Sequence, residues 1–224
     1  MATMKENRQQ RRKAKTKNAI RQAALHMFLT TGYHQTNIKD IMDSADLGYG
    51  TFYQYYESKL DVLIEQANEV YEMITTRYQK PPSAEKSIYK RTVNSIYNVF
   101  YTCNAHREVM TVLKQIRHLE EDANELWDKI MKELLHRLEF DITWSMDKGL
   151  CRNVDRELAI ASLYGMVLGA LDYLLKQERT DANILKMAEQ FSLLFKEAIF
   201  VKDEIPPLEK GGPSNSEETR EKRS

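Results

Sequence analysis

The chain has 224 residues, 29% of them charged and 42% hydrophobic, with 33 basic and 33 acidic side chains. That length allows one large domain, or a small module joined to a larger one, with enough buried surface to fold without staples. Two cysteines outside any Cys-x-x-Cys pair argue against a disulfide framework and read as reduced thiols.

The opening stretch, "MATMKENRQQRRKAKTKNAIRQ", is basic and has no apolar run of the secretory kind. The longest uncharged apolar run, residues 158–171, is shorter than the ~18 to 20 residues of a membrane span, so a cytoplasmic protein is expected. The zero net charge conceals an asymmetry: residues 1–60 carry +5 and the remainder −5. Within the first 21 residues, eight basic side chains face Glu6 alone. A basic front on an acidic body suits a polyanionic partner at the N-terminal end, although a solvated arm would carry the same charge.

Residues 1–15 are expected as a disordered basic arm. "KNAIRQAALHMFLTTG" then sets Ile20, Ala23, Ala24, Met27 and Phe28 on one helical stripe that Gly32 ends. In "QTNIKDIMDSADLG", Thr36 or Asn37 can cap a short helix, Asp40 suits its first turn, and Ile38, Ile41 and Met42 face inward. A second short helix is expected from about Gly48 to Tyr55. A long amphipathic helix follows, capped by Ser58, with Leu60, Leu63, Ile64, Ala67, Val70, Tyr71 and Ile74 on its apolar face. Pro81-Pro82 breaks it. Helical segments are expected near 84–102, 106–118, 122–147, 155–177 and 182–201. No alternating β-branched run appears, so no strand is assigned. From Lys202 the chain is rich in Pro, Gly, Ser and charge and reads as a disordered tail, residues 202–224.

"DLGYGTFYQYYESK", residues 46–59, places five aromatic rings and two glycines in one short stretch. Glycines and phenolic hydroxyls fit a dry core poorly. Two short helices after a longer one make a tri-helical helix-turn-helix unit, whose second short helix can enter the major groove of DNA, about 12 Å wide. Gly48 and Gly50 would allow close approach. Tyr49, Thr51 and Gln54 would point outward, and Tyr53 and Tyr55 would offer hydroxyls to phosphates. Phe52 and Tyr56 would turn back onto the scaffold, and Lys59 would add a cation at the start of the next helix.

"GYHQTNIKDIMDSADLGYGTFYQYYESKLDVL" resembles the DNA-binding signature of TetR/AcrR-family transcriptional regulators, over about residues 17–65. The resemblance implies an all-α protein, with an N-terminal three-helix helix-turn-helix domain (16–60) and a C-terminal helical ligand-binding and dimerisation domain (61–201). It implies that Thr36, Tyr53 and Lys59 bind phosphate, that Tyr49, Gly50 and Thr51 lie at base edges, and that Gln54 and Tyr55 flank them. Two positions depart from the pattern. Asp46 stands where the family commonly has Gly, and Tyr55-Tyr56 replaces the commoner His-Phe. The arm "RQQRRKAKTK" would reach neighbouring phosphates or the minor groove.

The family's ligand-binding body finds partial support in rings with polar tips and pliable Met side chains. The candidates are Tyr71, Tyr78, Tyr97, Phe100, Tyr101, Trp127, Met131 and Trp144, although such residues at helical spacing also serve as plain core. The last two helices are expected to form a homodimer interface through Leu163, Gly165, Met166, Gly169, Ala170, Tyr173, Phe191, Leu194 and Phe195. The expected function is a repressor released from a palindromic DNA operator by a small hydrophobic or amphipathic effector, with no cofactor and no metal. Two alternatives remain: an effector-independent DNA-binding protein, and a helical metalloenzyme. The second has only Glu133 and His136 at the Glu-x-x-His spacing, where a di-iron bundle needs two such motifs.

Overall fold

Between Ala2 and Thr31 the sequence contains neither Gly nor Pro and is rich in Ala, Lys, Arg and Gln, all strong helix formers. In the computed structural model, which describes residues 2–78, 87–176 and 179–201, this stretch is one unbroken helix, α1 (Ala2–Thr30). The helix takes in most of the stretch, residues 1–15, expected as a basic arm. Nothing in its sequence interrupts helix propagation from the packed part of α1.

The other helices are α2 (Ile38–Ser44), α3 (Tyr49–Phe52), α4 (Lys59–Tyr78), α5 (Ile88–Ala105), α6 (Arg107–Ile116), α7 (Glu121–Asp147), α8 (Arg156–Leu175) and α9 (Asp181–Ile199). The Pro81-Pro82 break and the expected tail lie outside the described residues. Helix starts follow local chemistry. Asn37 and Asp40 form a reciprocal capping box at α2, and Ser58 Oγ accepts from Asp61 N at α4. Ser87, Asp155 and Thr180 cap α5, α8 and α9 through their side-chain oxygens. Among the described residues the only extended pairing is an isolated Cys151–Phe200 bridge. It pins the end of α9 through Arg152 N to Ile199 O at 2.8 Å and Val201 N to Leu150 O at 2.8 Å.

One hydrophobic cluster runs from the N-terminal head, with Ile20, Ala24, Phe28, Ile41, Met42, Phe52 and Leu63 buried, into the body around Ile96, Phe100, Met110, Leu113, Trp127 and Ile130. In the body α5 lies along α9, α4 packs on α7, and α6 touches both α1 and α4. The head therefore contacts the body through α6 as well as through α4. By length and composition α8 could cross a membrane. Its Ala159, Leu163, Val167, Leu171 and Leu174 are instead buried inside the subunit.

Candidate nucleic-acid interface

The head is built so that α3 has one buried and one open side. Phe52 is fully buried and Tyr56 nearly so, their ring centroids 5.9 Å apart, and together they anchor the segment on α1 and α2. Tyr49 and Tyr53 project the other way, 53% and 52% exposed, with their hydroxyls 2.9 Å apart. Gly48, Gly50 and Gln54 are exposed beside them, while Thr51 and Tyr55 are half-buried at the edge. The helix is shorter than expected. It closes at Phe52, and the chain continues in tight turns, Gln54 N to Thr51 O and Tyr55 N to Phe52 O.

The turn between α2 and α3 is made by Asp46 at φ 54°, the one non-glycine with positive φ among the described residues. The departure from Gly at this position therefore keeps the left-handed backbone, which Asp tolerates better than most side chains. Gly32 (φ +96°) ends the α1 region, and a Cβ there would come within 2.6 Å of Gln35 Oε1. Gly50 is different. A Cβ on it would meet nothing within 4 Å, so no contact inside the chain requires a glycine there.

Two of the expected phosphate ligands are turned inward. Thr36 is 1% exposed, and its hydroxyl lies within hydrogen-bond distance of Gly32 O (2.8 Å) and Met27 O (3.2 Å). The helix cap falls to Asn37 instead. Lys59 Nζ donates to Tyr33 O at 2.5 Å and Thr36 O at 2.8 Å, and lies 4.4 Å from the Tyr33 ring centroid. Just ahead of α4, the Asp61 carboxylate accepts from Glu57 N and Ser58 N, while Asp61 N donates to Ser58 Oγ. Thr36 and Lys59 both satisfy backbone carbonyls where the chain turns from α1 to α2. Burial lowers the Lys59 pKa, countered in part by the facing Glu120 carboxylate.

Sequence reasoning missed the clamps that orient the head. Lys17 pairs with Glu65 at 2.8 Å, and Arg21 pairs with Glu69, joining α1 to α4. Glu120, at the start of α7, faces Tyr33; burial first, then this carboxylate, pushes the phenol well above its usual pKa. No spacing rule announces either contact, because the partners are far apart in sequence.

In the body the expected ligand residues differ in burial. Phe100, Trp127 and Met131 are buried core, Tyr71, Tyr97, Tyr101 and Trp144 are half-buried, and the Tyr78 side chain lies outside the described residues. Trp144 borders a void of about 10 Å³, the size of one water. Two larger clefts lie elsewhere. One of about 410 Å³ separates α1 and α4 from the α5–α6 turn and is lined by polar groups including Arg21, Glu69 and His106. The other, about 320 Å³, lies between α7 and α8 and is lined by Leu135, Ile160, Leu163 and Tyr164 together with the charged Asp128, Lys132 and Glu139.

The expected interface residues divide. Leu163, Phe191 and Phe195 belong to the subunit's own core, and Met166 and Ala170 are half-buried. Gly165, Gly169, Tyr173 (55% exposed) and Leu194 (67% exposed) face outward, joined by Leu158 and Leu193. A Cβ on either glycine would meet nothing within 4 Å. Glu133 is half-buried and His136 exposed, and no group of three or more His, Cys, Asp or Glu suited to a metal occurs among the described residues.

Residues 20–65 match the model of the bacterial regulatory proteins, tetR family. A fatty acid metabolism regulator protein of Bacillus subtilis is 23% identical over 148 residues, covering 65% of this chain and 76% of that protein. The fold is similar to fatty acid degradation regulator FadR from Bacillus halodurans (TM-score 0.62, 19% identity, 80% of this chain and 94% of that one). It is also similar to the transcriptional regulator FadR from Bacillus subtilis in complex with stearoyl-CoA (TM-score 0.61, 19% identity, 79% and 96%).

Proposed function

We propose, from the premise that this chain belongs to the TetR family of bacterial regulatory proteins, that it is a cytoplasmic, homodimeric repressor. Its two α3 surfaces read a palindromic operator, and its helical body releases the DNA on binding an amphipathic effector. The observation that carries the reading is the outer face of α3. A glycine inside a helix costs about 1 kcal/mol relative to Ala, and Gly50 has no intramolecular neighbour that requires it. The gap it leaves between Tyr49 and Thr51 serves a surface outside the chain, and the wide groove of DNA fits it.

The same reasoning supports the dimer. Gly165 and Gly169 flatten the exposed side of α8, which a second α8 could approach closely, and the exposed Leu158, Tyr173 and Leu194 would then be covered. Two heads so joined suit half-sites about 34 Å apart on one face of the duplex.

For the effector, the apolar groove between α7 and α8 is at the lower end of the about 300–1,000 Å³ usual for small-molecule sites. An acyl chain could lie along Leu135, Ile160, Leu163 and Tyr164; Lys132 would then face an anionic head group, beside the carboxylates of Asp128 and Glu139 that also line the groove. The stearoyl-CoA bound by the Bacillus subtilis regulator makes long-chain acyl-CoA the first compound to try. Binding would bias α7, whose Glu120 end faces the head, with a coupling of about 1–3 kcal/mol, or roughly 5- to 150-fold in DNA affinity. The test is selection from random duplexes at moderate salt, followed by titration of the selected site with stearoyl-CoA, stearate or CoA. A palindromic consensus, released by the acyl thioester and not by CoA, is expected. Failure to enrich any sequence would remove the DNA-reading role.

A further inference from the structure

Helix α1 is exposed throughout residues 7–15. Ile20 is its first buried side chain among the described residues, so residues 2–16 put about 22 Å of helix ahead of the head at ~1.5 Å per residue. Arg8, Arg11, Arg12 and Lys15 are all exposed. They stand at i, i+3, i+4 and i+7, the spacing that gathers side chains on one stripe. At about 100° per residue this stripe lies opposite Ile20, Ala24 and Phe28, which hold α1 on the head.

None of the four has an ion-pair partner among the described residues, whereas Lys17, on the other face, pairs with Glu65 and lies 5.5 Å from the Tyr56 ring centroid. Like charges on one stripe repel. Within the chain the arrangement is unfavourable, and an external polyanion would relieve it. The opposite side of the segment carries Gln9, Gln10, Lys13 and Ala14, without the Trp, Phe or Leu that would seat a helix in lipid. The extension leaves the head beside Tyr56, three positions beyond Tyr53.

We propose that residues 2–16 are a helical outrigger that lies along the DNA phosphate backbone outside the base pairs read by α3, through Arg8, Arg11, Arg12 and Lys15. The inference rests on the DNA-binding reading above. It also narrows the arm's expected target, because a helix about 10–12 Å across does not enter a minor groove about 6 Å wide.

The test uses the full-length chain carrying Arg8→Ala, Arg11→Ala, Arg12→Ala and Lys15→Ala together, substitutions that keep helix propensity. Circular dichroism and sedimentation check helix and assembly, and Lys13→Ala is the control. The expected result is an unchanged consensus sequence, with hydroxyl-radical protection shortened at the outer edges of the site. The slope of log affinity against log salt should fall by about 3.6 for each arm engaged, at ~0.9 per phosphate. Lys13→Ala should leave slope and protection as they are. Unchanged slope and protection in the fourfold variant, with the consensus retained, would overturn the outrigger and leave the DNA-binding reading standing. So would a loss confined to vesicles containing phosphatidylserine. A full-length chain that selects no sequence at all would bring down both.

Discussion

The hydroxyls of Tyr49 and Tyr53, one helical turn apart in sequence, lie 2.9 Å from each other on the exposed side of the reading head, their rings 5.6 Å apart edge to face. One hydroxyl donates to the other, so the pair offers a single outward O–H, held in place by its neighbour. Such an arrangement presents a donor to a phosphate at low entropic cost.

Tyr53→Phe should therefore weaken operator binding by at least about tenfold, since a hydrogen bond to a charged acceptor contributes roughly 1.5–3 kcal/mol. Fold stability should change by less than about 0.5 kcal/mol, because the ring is exposed. Fluorescence anisotropy and urea denaturation measure the two. Binding at the parent level would remove Tyr53 from the phosphate contact.

Gly50→Ala should move stability and binding in opposite directions. The position does not have a positive φ and has open space around it. Alanine should stabilise the fold by about 0.4–1 kcal/mol while reducing operator affinity. A rise in melting temperature with undiminished DNA binding would mean that no close approach occurs at this point.

Lys59→Met separates a scaffold role from a phosphate role. Losing the ammonium leaves the carbonyls of Tyr33 and Thr36 without their donor and should cost about 1–3 kcal/mol of head stability. DNA affinity should fall as the α1–α2 turn shifts. The salt dependence of the remaining binding should stay as it is, because no phosphate contact is lost. A slope reduced by about 0.9 with stability intact would restore the phosphate assignment.

Gly165→Leu should leave the subunit folded, since the added side chain projects into open space, and should shift sedimentation from dimer to monomer. A dimer of unaltered affinity would place the interface on another face.

Much of the helical layout was legible in the sequence by itself, together with the cap at Ser58 and the choice of Thr36 or Asn37 at α2. Apolar spacing, the Ser58 cap and the Gly-Tyr stretch are local, and local rules reach them; between Thr36 and Asn37 the structure chose Asn37. Sequence also located the left-handed turn at Asp46, because few residues adopt that backbone. Tertiary structure alone decided which side chains remain available. Thr36 bonds locally to Gly32 O, whereas Lys59 reaches the carbonyls of Tyr33 and Thr36 only because α4 packs beside the α1–α2 turn. The aromatic and Met residues of the body carry the same pattern whether they line a pocket or fill a core, and packing turned Phe100, Trp127 and Met131 inward. Burial and hydrogen-bond satisfaction are properties of the assembled chain, whereas helix propensity and turn chemistry act over a few residues.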